Sequence, residues 1–323
     1  MTPEPVPQTA NPGAPHLASE MWAATDLPRI PETRRLFWSI RRELWENRSI
    51  YIAPLIVAAL IVLGFFYSTL RMPSGLLITS TVNDNGVVTH TQHGIDPILP
   101  YTFAAGLIMA TTFLVGIFYC LDALYGERRD RSILFWKSLP ISDLTTVLSK
   151  AAIPLVLLPL LTWVITVVTQ SLMLLINLSI FHLRGIDTTA LRTGLPLTQN
   201  SVMLLYHLVA IHALWYAPIW CWFLMVSAWA RRTPLLWATL PPIALGVLEI
   251  ITLRSGHVFE FLKYRIHGPA GADAFSSGTS MSMADMPLSP AHFLSIPGLW
   301  TGLALAAIFL AAAIQLRRYR NPI

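Results

Sequence analysis

The sequence predicts an all-α protein that crosses a membrane several times. Of its 323 residues, 54% are hydrophobic and only 12% are charged, and the mean hydropathy is +0.57. An average soluble domain has roughly 25% charged residues. Several uncharged runs are also longer than the about 18 residues that indicate a transmembrane helix. We therefore expect most of the apolar surface to contact lipid instead of a single water-enclosed core.

The first two elements lie ahead of the long apolar runs. Residues 1–30 contain six prolines among small and polar residues, so we expect a disordered cytoplasmic tail that buries too little apolar area to fold. Residues 31–48 follow a helical period. Leu36, Phe37, Ile40 and Leu44 fall on one arc, while Glu43 falls with the charged residues on the other. This pattern predicts an amphipathic helix in the headgroup region, with a soluble surface helix as the alternative.

Six spanning helices are predicted in the remaining chain, residues 49–323, each with roughly 20 apolar residues. The third and fourth runs are longer than one crossing needs, so we expect tilt or continuation beyond the bilayer. The predicted spans are residues 50–70, 101–122, 151–176, 201–229, 234–253 and 295–316.

The distribution of basic residues predicts the orientation. The two terminal segments and the connections 123–150 and 230–233 hold 16 Lys and Arg residues, whereas the alternate connections hold 6. By the positive-inside rule, both termini are predicted to be cytoplasmic. The same clustering beside apolar runs explains the net charge of +5 without nucleic-acid binding. Cys120 and Cys221 lie within apolar runs, so we expect no disulfide framework.

The predicted extracellular connections are residues 71–100 and 254–294. In the first, two β-rich runs flank Asn85 and Gly86, which predicts a small β-hairpin between the first two spans. The second starts with a predicted short helix at Val258–Ile266 and continues with many Ser and Gly residues, for which we expect a flexible loop.

The predicted cytoplasmic loop, residues 125–150, combines five basic residues with a compact apolar set. A helix from about Arg128 must end before Pro140, because proline lacks the backbone donor and restricts the residue before it. Ser142 or Asp143 then caps the next helix, which continues into the third span. The loop is either a simple connection in the headgroup layer, or its apolar residues 133–136 form a knob that inserts into a soluble partner.

The run LYGERRDRSILFWKSLPISDL resembles the cytoplasmic loop of type-2 ATP-binding-cassette permeases, whose pattern is Glu-Arg, a leucine-rich turn and a Pro-x-Ser ending. Glu127 and Arg128 match the first part, Ile133 and Leu134 the turn, and residues 138–142 the ending. Arg131 and Ser132 replace a Gly-Thr pair of many relatives. This departure leaves the subfamily and the substrate open.

The resemblance implies a coupling helix that docks into a separate ATPase subunit. An aromatic and aliphatic knob joined directly to two spans could also pass force to the membrane helices on physical grounds. We expect Glu127, Arg128 and Arg131 to form salt bridges at an exposed rim. The expected contact residues are Glu127, Arg128, Arg131, Ile133, Leu134, Phe135, Trp136 and Lys137.

The chain contains no GxxxxGK[ST] phosphate-binding loop, so we expect ATP and Mg²⁺ on the partner ATPase and no cofactor on this chain. Six spans are few for an alternating-access path, which predicts pairing with a second permease chain. A homodimer is expected, and a heterodimer is equally allowed by the sequence. The resemblance implies a multi-pass protein of the bacterial cytoplasmic (inner) membrane.

Polar residues inside the predicted spans are candidates for a substrate path, because they usually face a bundle interior or water. These are Gln170, His207, His212 and Glu249. The structural alternatives are snorkelling for Glu249 and interhelical hydrogen bonds for the others. His207 and His212 lie five positions apart, about 140° around an α-helix, so no metal site is expected from them.

Two other functional classes remain as alternatives. A non-transporting scaffold or sensor would bind an ATPase without moving a substrate. An intramembrane enzyme would need convergent catalytic groups, whereas the predicted spans contain Glu249 without an acidic partner.

Overall fold

The computed structural model describes residues 31–71, 80–82, 88–90, 98–132, 135, 142–185, 197–268 and 290–319. The predicted tail (1–30), the second half of the last predicted outer loop (269–289) and part of the predicted cytoplasmic loop (133–134 and 136–141) lie outside these residues. The described part is almost entirely helical.

The described ranges contain twelve α-helical segments, two of which continue into π-helical turns. The first are α1 (Glu32–Glu46), α2 (Ser49–Arg71), α3 (Leu99–Ala123), α4 (Tyr125–Arg129), α5 (Asp143–Ala152), π1 (Ile153–Leu157) and α6 (Leu158–Leu183). The others are α7 (Leu197–His207), π2 (Leu208–Trp215), α8 (Ala217–Trp229), α9 (Pro234–Leu253), α10 (His257–His267), α11 (Pro290–Ser295) and α12 (Pro297–Tyr319).

Among the described residues, five helices are long and apolar enough to cross a membrane, or six if one bent pair counts as a single span. The bent pair is Leu197–Trp215 and Ala217–Trp229, which meet at 47°. These segments coincide with the six predicted runs. The third run is one helix of 41 residues, Asp143–Leu183, as its excess length predicted, whereas the fourth accommodates its length by bending.

Two short strands lie between α2 and α3: β1 (Ser80–Val82) and β2 (Val88–His90). They pair antiparallel, with Ser80 opposite His90 and Val82 opposite Val88. The intervening residues 83–87, where the Asn-Gly turn is predicted, lie outside the described residues. The turn type and the side of the membrane remain predictions.

Two π-helical turns interrupt the third and fourth spans and pack against each other. In π2, the Tyr216 amide donates to the carbonyl of Ile211 at 3.0 Å, a bond that spans five residues. The indole of Trp220 donates to the carbonyl of His212 at 2.8 Å, so a side chain satisfies a backbone acceptor of the widened turn. Such turns change which residues share a helix face, and they are frequent at functional sites.

The core lies where α3, α6, π2, α8 and α12 pack together, with Trp215, Tyr216 and Trp220 among its largest buried side chains. Two spans contribute little to it. Only 17% of the most apolar window of α2 is buried, and 11% of that of α9. Their apolar surfaces are therefore available to lipid or to another membrane chain.

The helix predicted within residues 31–48 is present as α1, but its inward face differs from the prediction. Its place in the headgroup region stays a prediction. Phe37 and Trp45 are exposed, whereas Glu43 is completely buried. Arg41 lies over the rings of Trp38 and Trp45, with its guanidinium carbon 5.1 and 4.9 Å from the centroids. The charge of Glu43 is accommodated inside the protein by the partners described next.

Candidate functional site

Four segments of the chain meet at one end of the helical bundle: α1, the α4 segment, α5 and the end of α12. Each contributes charged side chains to a common cluster. We call this group the ion cluster; its members are Arg42, Glu43, Glu127, Asp143, Lys150 and Arg317. Three of them are acidic and three are basic, so their formal charges cancel.

Glu43 and Lys150 form the buried centre of the ion cluster. The ammonium of Lys150 donates to Glu43 Oε1 at 2.9 Å, and the guanidinium of Arg42 reaches the same oxygen at 2.8 Å. The hydroxyl of Tyr119 donates to Glu43 Oε2 at 3.1 Å. Both carboxylate oxygens are therefore hydrogen-bonded, which is the condition under which a buried charge is tolerated.

The electrostatic surroundings keep Glu43 ionised. Burial by itself raises the pKa of this carboxyl, but the opposing charges and hydrogen bonds of Lys150 and Arg42 outweigh it and lower the pKa below its ordinary value. A carboxylate stabilised in this way holds its cationic partners in place at neutral pH.

Glu127 connects the α4 segment to the same cluster. Its Oε1 lies 3.1 Å from the Lys150 ammonium and 3.7 Å from the Arg42 guanidinium. Its Oε2 accepts a hydrogen bond from Arg317 at the end of α12. Arg317 also donates from Nε to Asp143 at 3.0 Å. One carboxylate thus ties the start of the loop to α1, α5 and α12.

Arg128 anchors the same segment to the end of α8. Its side chain is buried, and its Nη1 donates to the carbonyls of Ala228 and Ala230 at 2.6 and 3.0 Å. The hydroxyl of Ser227 accepts from the amides of Leu124 and Tyr125, both at 2.9 Å. These bonds satisfy backbone groups at the junction of α3 and α4 and fix the direction in which the loop leaves the bundle.

The prediction that Glu127 and Arg128 lie at an exposed rim is wrong. Glu127 is held inside the protein by Lys150 and Arg317, and Arg128 by two backbone carbonyls. Arg131 is exposed and has a left-handed backbone, with φ of 56°. Phe135 is also exposed, at 60%. Ile133, Leu134, Trp136 and Lys137 lie outside the described residues. Contact of this loop with an ATPase stays a prediction.

Two of the predicted substrate-path residues make hydrogen bonds within the bundle. The amide of Gln170 is buried and donates to the carbonyl of Tyr101 at 3.1 Å, which joins α6 to α3. Glu249 accepts from Ser255 Oγ at 2.7 Å and from the amides of His257 and Val258 at 2.9 and 2.8 Å. Its carboxylate therefore caps the positive end of α10. The contact of Gln170 favours its structural alternative, an interhelical hydrogen bond. Glu249 has a capping role that neither alternative included, and its snorkelling stays a prediction.

The predicted separation of His207 and His212 is wrong. Their ring centroids lie only 5.7 Å apart, and both side chains are buried. The prediction assumed an α-helix, whereas π2 starts at Leu208 and brings residues five positions apart towards the same side. No group of three or more His, Cys, Asp or Glu side chains in the described segments is placed to hold a metal ion.

Sequence reasoning missed Lys150 and Arg317 as site residues and placed Glu43 on the wrong face. A usable signal was present, because Lys150 directly precedes the apolar run of the third span. A cation at that position needs either the headgroup layer or a buried carboxylate. Whether Lys150 meets headgroups or a carboxylate depends on the packing of α1 against α5. The helical period of a single segment contains no information about that packing.

Three comparisons with known proteins found no match for this chain. The chain matches no protein-family model, no curated protein and no solved structure.

Proposed function

We propose that this chain is the membrane-spanning permease subunit of an ATP-driven exporter of the ATP-binding-cassette type, powered by a separate ATPase subunit. The observation that supports it most directly is the double anchoring of the α4 segment. Glu127 joins it to the ion cluster, and Arg128 joins it to α8. A force on the loop that follows would therefore reach several spanning helices through buried, short-range contacts.

The proposed mechanism is conformational. ATP-driven association of two ATPase subunits moves the loop 125–150, and the movement passes through the ion cluster to α1, α5 and α12. Six spans suit a subunit that pairs with a second permease chain, and the mainly exposed apolar surfaces of α2 and α9 are suited to lipid and to such a chain. ATP and Mg²⁺ are proposed to bind to the partner, in the bacterial cytoplasmic membrane.

The first experiment tests the partnership. The full chain, purified with an affinity tag in mild detergent, should retain a protein that carries an ATP-binding phosphate loop. The Phe135→Ala/Trp136→Ala variant should insert normally but lose that protein and its transport-coupled ATPase activity. A matched control is Phe103→Ala/Phe118→Ala, which removes two exposed aromatic rings from α3. Coupled activity that survives the loop substitutions would contradict the docking role.

Reconstitution distinguishes transport from a scaffold role. In proteoliposomes that contain both subunits, a permease produces ATP-dependent movement of substrate, and a scaffold or sensor produces hydrolysis without movement. The substrate is open, so the measurement screens lipids, peptides, drugs and ions for flux that requires both ATP and this chain.

A further inference from the structure

The turn between α8 and α9 carries a cavity that the proposed coupling does not use. Its volume is about 140 Å³, and it is lined by Trp229, Ala230, Arg231 and Trp237. The two indoles meet edge to face with ring centroids 4.7 Å apart. Since one water molecule needs about 10–15 Å³ of such space, the cavity can admit a polyatomic group.

Exposed cationic and exposed apolar residues are the neighbours in sequence of the residues that line the cavity. Arg231 and Arg232 are both exposed, and within the described segments neither guanidinium forms a salt bridge with a carboxylate. In α9, which contributes Trp237 to the lining, the side chains of Leu235, Leu236 and Leu240 are exposed. A ligand that satisfies both groups needs a negative charge next to a hydrocarbon chain.

We propose that this cavity binds the phosphate of an anionic phospholipid headgroup, with Arg231 and Arg232 as the cationic partners. The acyl chain then lies along the exposed leucines of α9. Tryptophan at the interface and arginine beside an anionic leaflet are the side chains suited to this ligand. A free phosphate shares the charge but gains nothing from the leucines, so the lipid is the favoured source.

A lipid bound in this cavity would affect the loop through the backbone of the turn. Ala230, which lines the cavity, also supplies one of the two carbonyls that hold Arg128, and Ala228 supplies the other. A headgroup that fixes this turn also fixes the anchor of the α4 segment. This consequence rests on the proposed function, whereas the binding itself does not.

The binding test uses the purified chain alone in detergent, with thermal unfolding as the readout. Phosphatidylglycerol, phosphatidylcholine with the same acyl chains, and inorganic phosphate are titrated separately. We expect stabilisation by phosphatidylglycerol only. Arg231→Gln/Arg232→Gln should weaken its apparent affinity about thirtyfold, since each basic residue contributes on the order of a factor of five at an anionic surface. The control Arg254→Gln/Lys263→Gln removes two charges from another connection.

Three results would overturn the proposal: equal stabilisation by both lipids, full stabilisation by inorganic phosphate, or equal weakening by the control substitutions. If Arg231→Gln/Arg232→Gln does not fold, Trp229→Phe, which keeps the charges and removes the indole, must instead weaken the response to phosphatidylglycerol. ATPase stimulation in the reconstituted complex is measured separately. Lipid binding without any effect on stimulation would leave the site intact and count against the proposed coupling.

Discussion

The Lys150 ammonium donates a hydrogen bond of 2.9 Å to the carboxylate of Glu43, across 107 positions of sequence, with both side chains buried. This pair joins helix α1 to the helix that continues into the third span. An exposed pair of this kind contributes little to stability, but a buried one leaves an uncompensated charge when either partner is removed. The pair therefore makes the position of α1 depend on the start of the third span.

Replacement of Lys150 by methionine should strongly destabilise the protein. The substitution keeps a long apolar stem and leaves the carboxylate of Glu43 buried with one cation fewer. Breaking a buried pair in this way costs about 3–5 kcal/mol, which would appear as a lower unfolding midpoint in detergent.

Two further variants isolate the charge effect. Glu43→Gln/Lys150→Met removes both charges and should recover a large part of the lost stability. Arg129→Gln removes a cation whose side chain is 54% exposed, and its effect should stay within about 0.5 kcal/mol. Equal losses in the single and the double variant would show that packing, and not charge, dominates at this position.

Acidification should weaken the ion cluster through Glu43. Because its pKa is lowered in the folded state from an ordinary value of 4.5, the unfolded chain binds the proton more readily. The stability from this group is therefore fully present above about pH 4.5 and is lost as the pH falls towards the folded pKa. The wild type should lose unfolding free energy in this window more steeply than Glu43→Gln.

Glu46 provides the comparison for this pH effect. Burial raises the pKa of this carboxyl, so its contribution has the opposite sign, and Glu46→Gln should keep the acid sensitivity of the wild type. A Glu43→Gln profile that matches the wild type down to pH 3.5 would contradict the assigned role of Glu43.

Apolar run length was sufficient to predict the helical class and the positions of the spans, because each run must cover about 30 Å of hydrocarbon. The relation between His207 and His212 was not predictable in the same way. The π-helical turn π2 packs against π1, and the indole of Trp220 bonds to the carbonyl of His212. A sequence pattern that assumes the α-helical period does not reveal such a turn.

The burial of the site residues is a second feature that the sequence pattern did not predict. The period of α1 placed Glu43 with the polar residues, and polar residues were expected to face water. The actual direction of Glu43 is set by Lys150 and Tyr119, which lie far away in sequence. Glu127 and Arg128 were selected from the loop pattern itself, yet their burial depends on Arg317 and on the carbonyls of α8. Long-range ion pairs and hydrogen bonds decide both cases.

Substitution of Arg128 by glutamine should uncouple the loop from the bundle. The guanidinium loses two bonds to the carbonyls of Ala228 and Ala230, each worth about 1.5–3 kcal/mol for a charged donor. We expect the ATPase partner to remain bound, with a loss of ATP-dependent transport measured in proteoliposomes. Arg129→Gln, at an exposed position of the same segment that is not among the expected ATPase contacts, controls for the loss of charge. Unchanged transport by Arg128→Gln would argue against this anchor.

Replacement of Gly302 by alanine should separate α12 from α10. A Cβ at this position would overlap the guanidinium of Arg265. That group cannot easily withdraw, because it is buried, lies 4.7 Å from the ring centroid of Trp215 and donates to the carbonyl of Gly298. Overpacking of this kind costs about 1–3 kcal/mol. Gly106→Ala, where a new Cβ has no neighbour within 4 Å, should instead be neutral or stabilise α3 by up to about 1 kcal/mol. If the steric argument is correct, Arg265→Ala should make the further substitution of Gly302 nearly neutral, whereas additive losses in a thermal-unfolding double-mutant cycle would refute it.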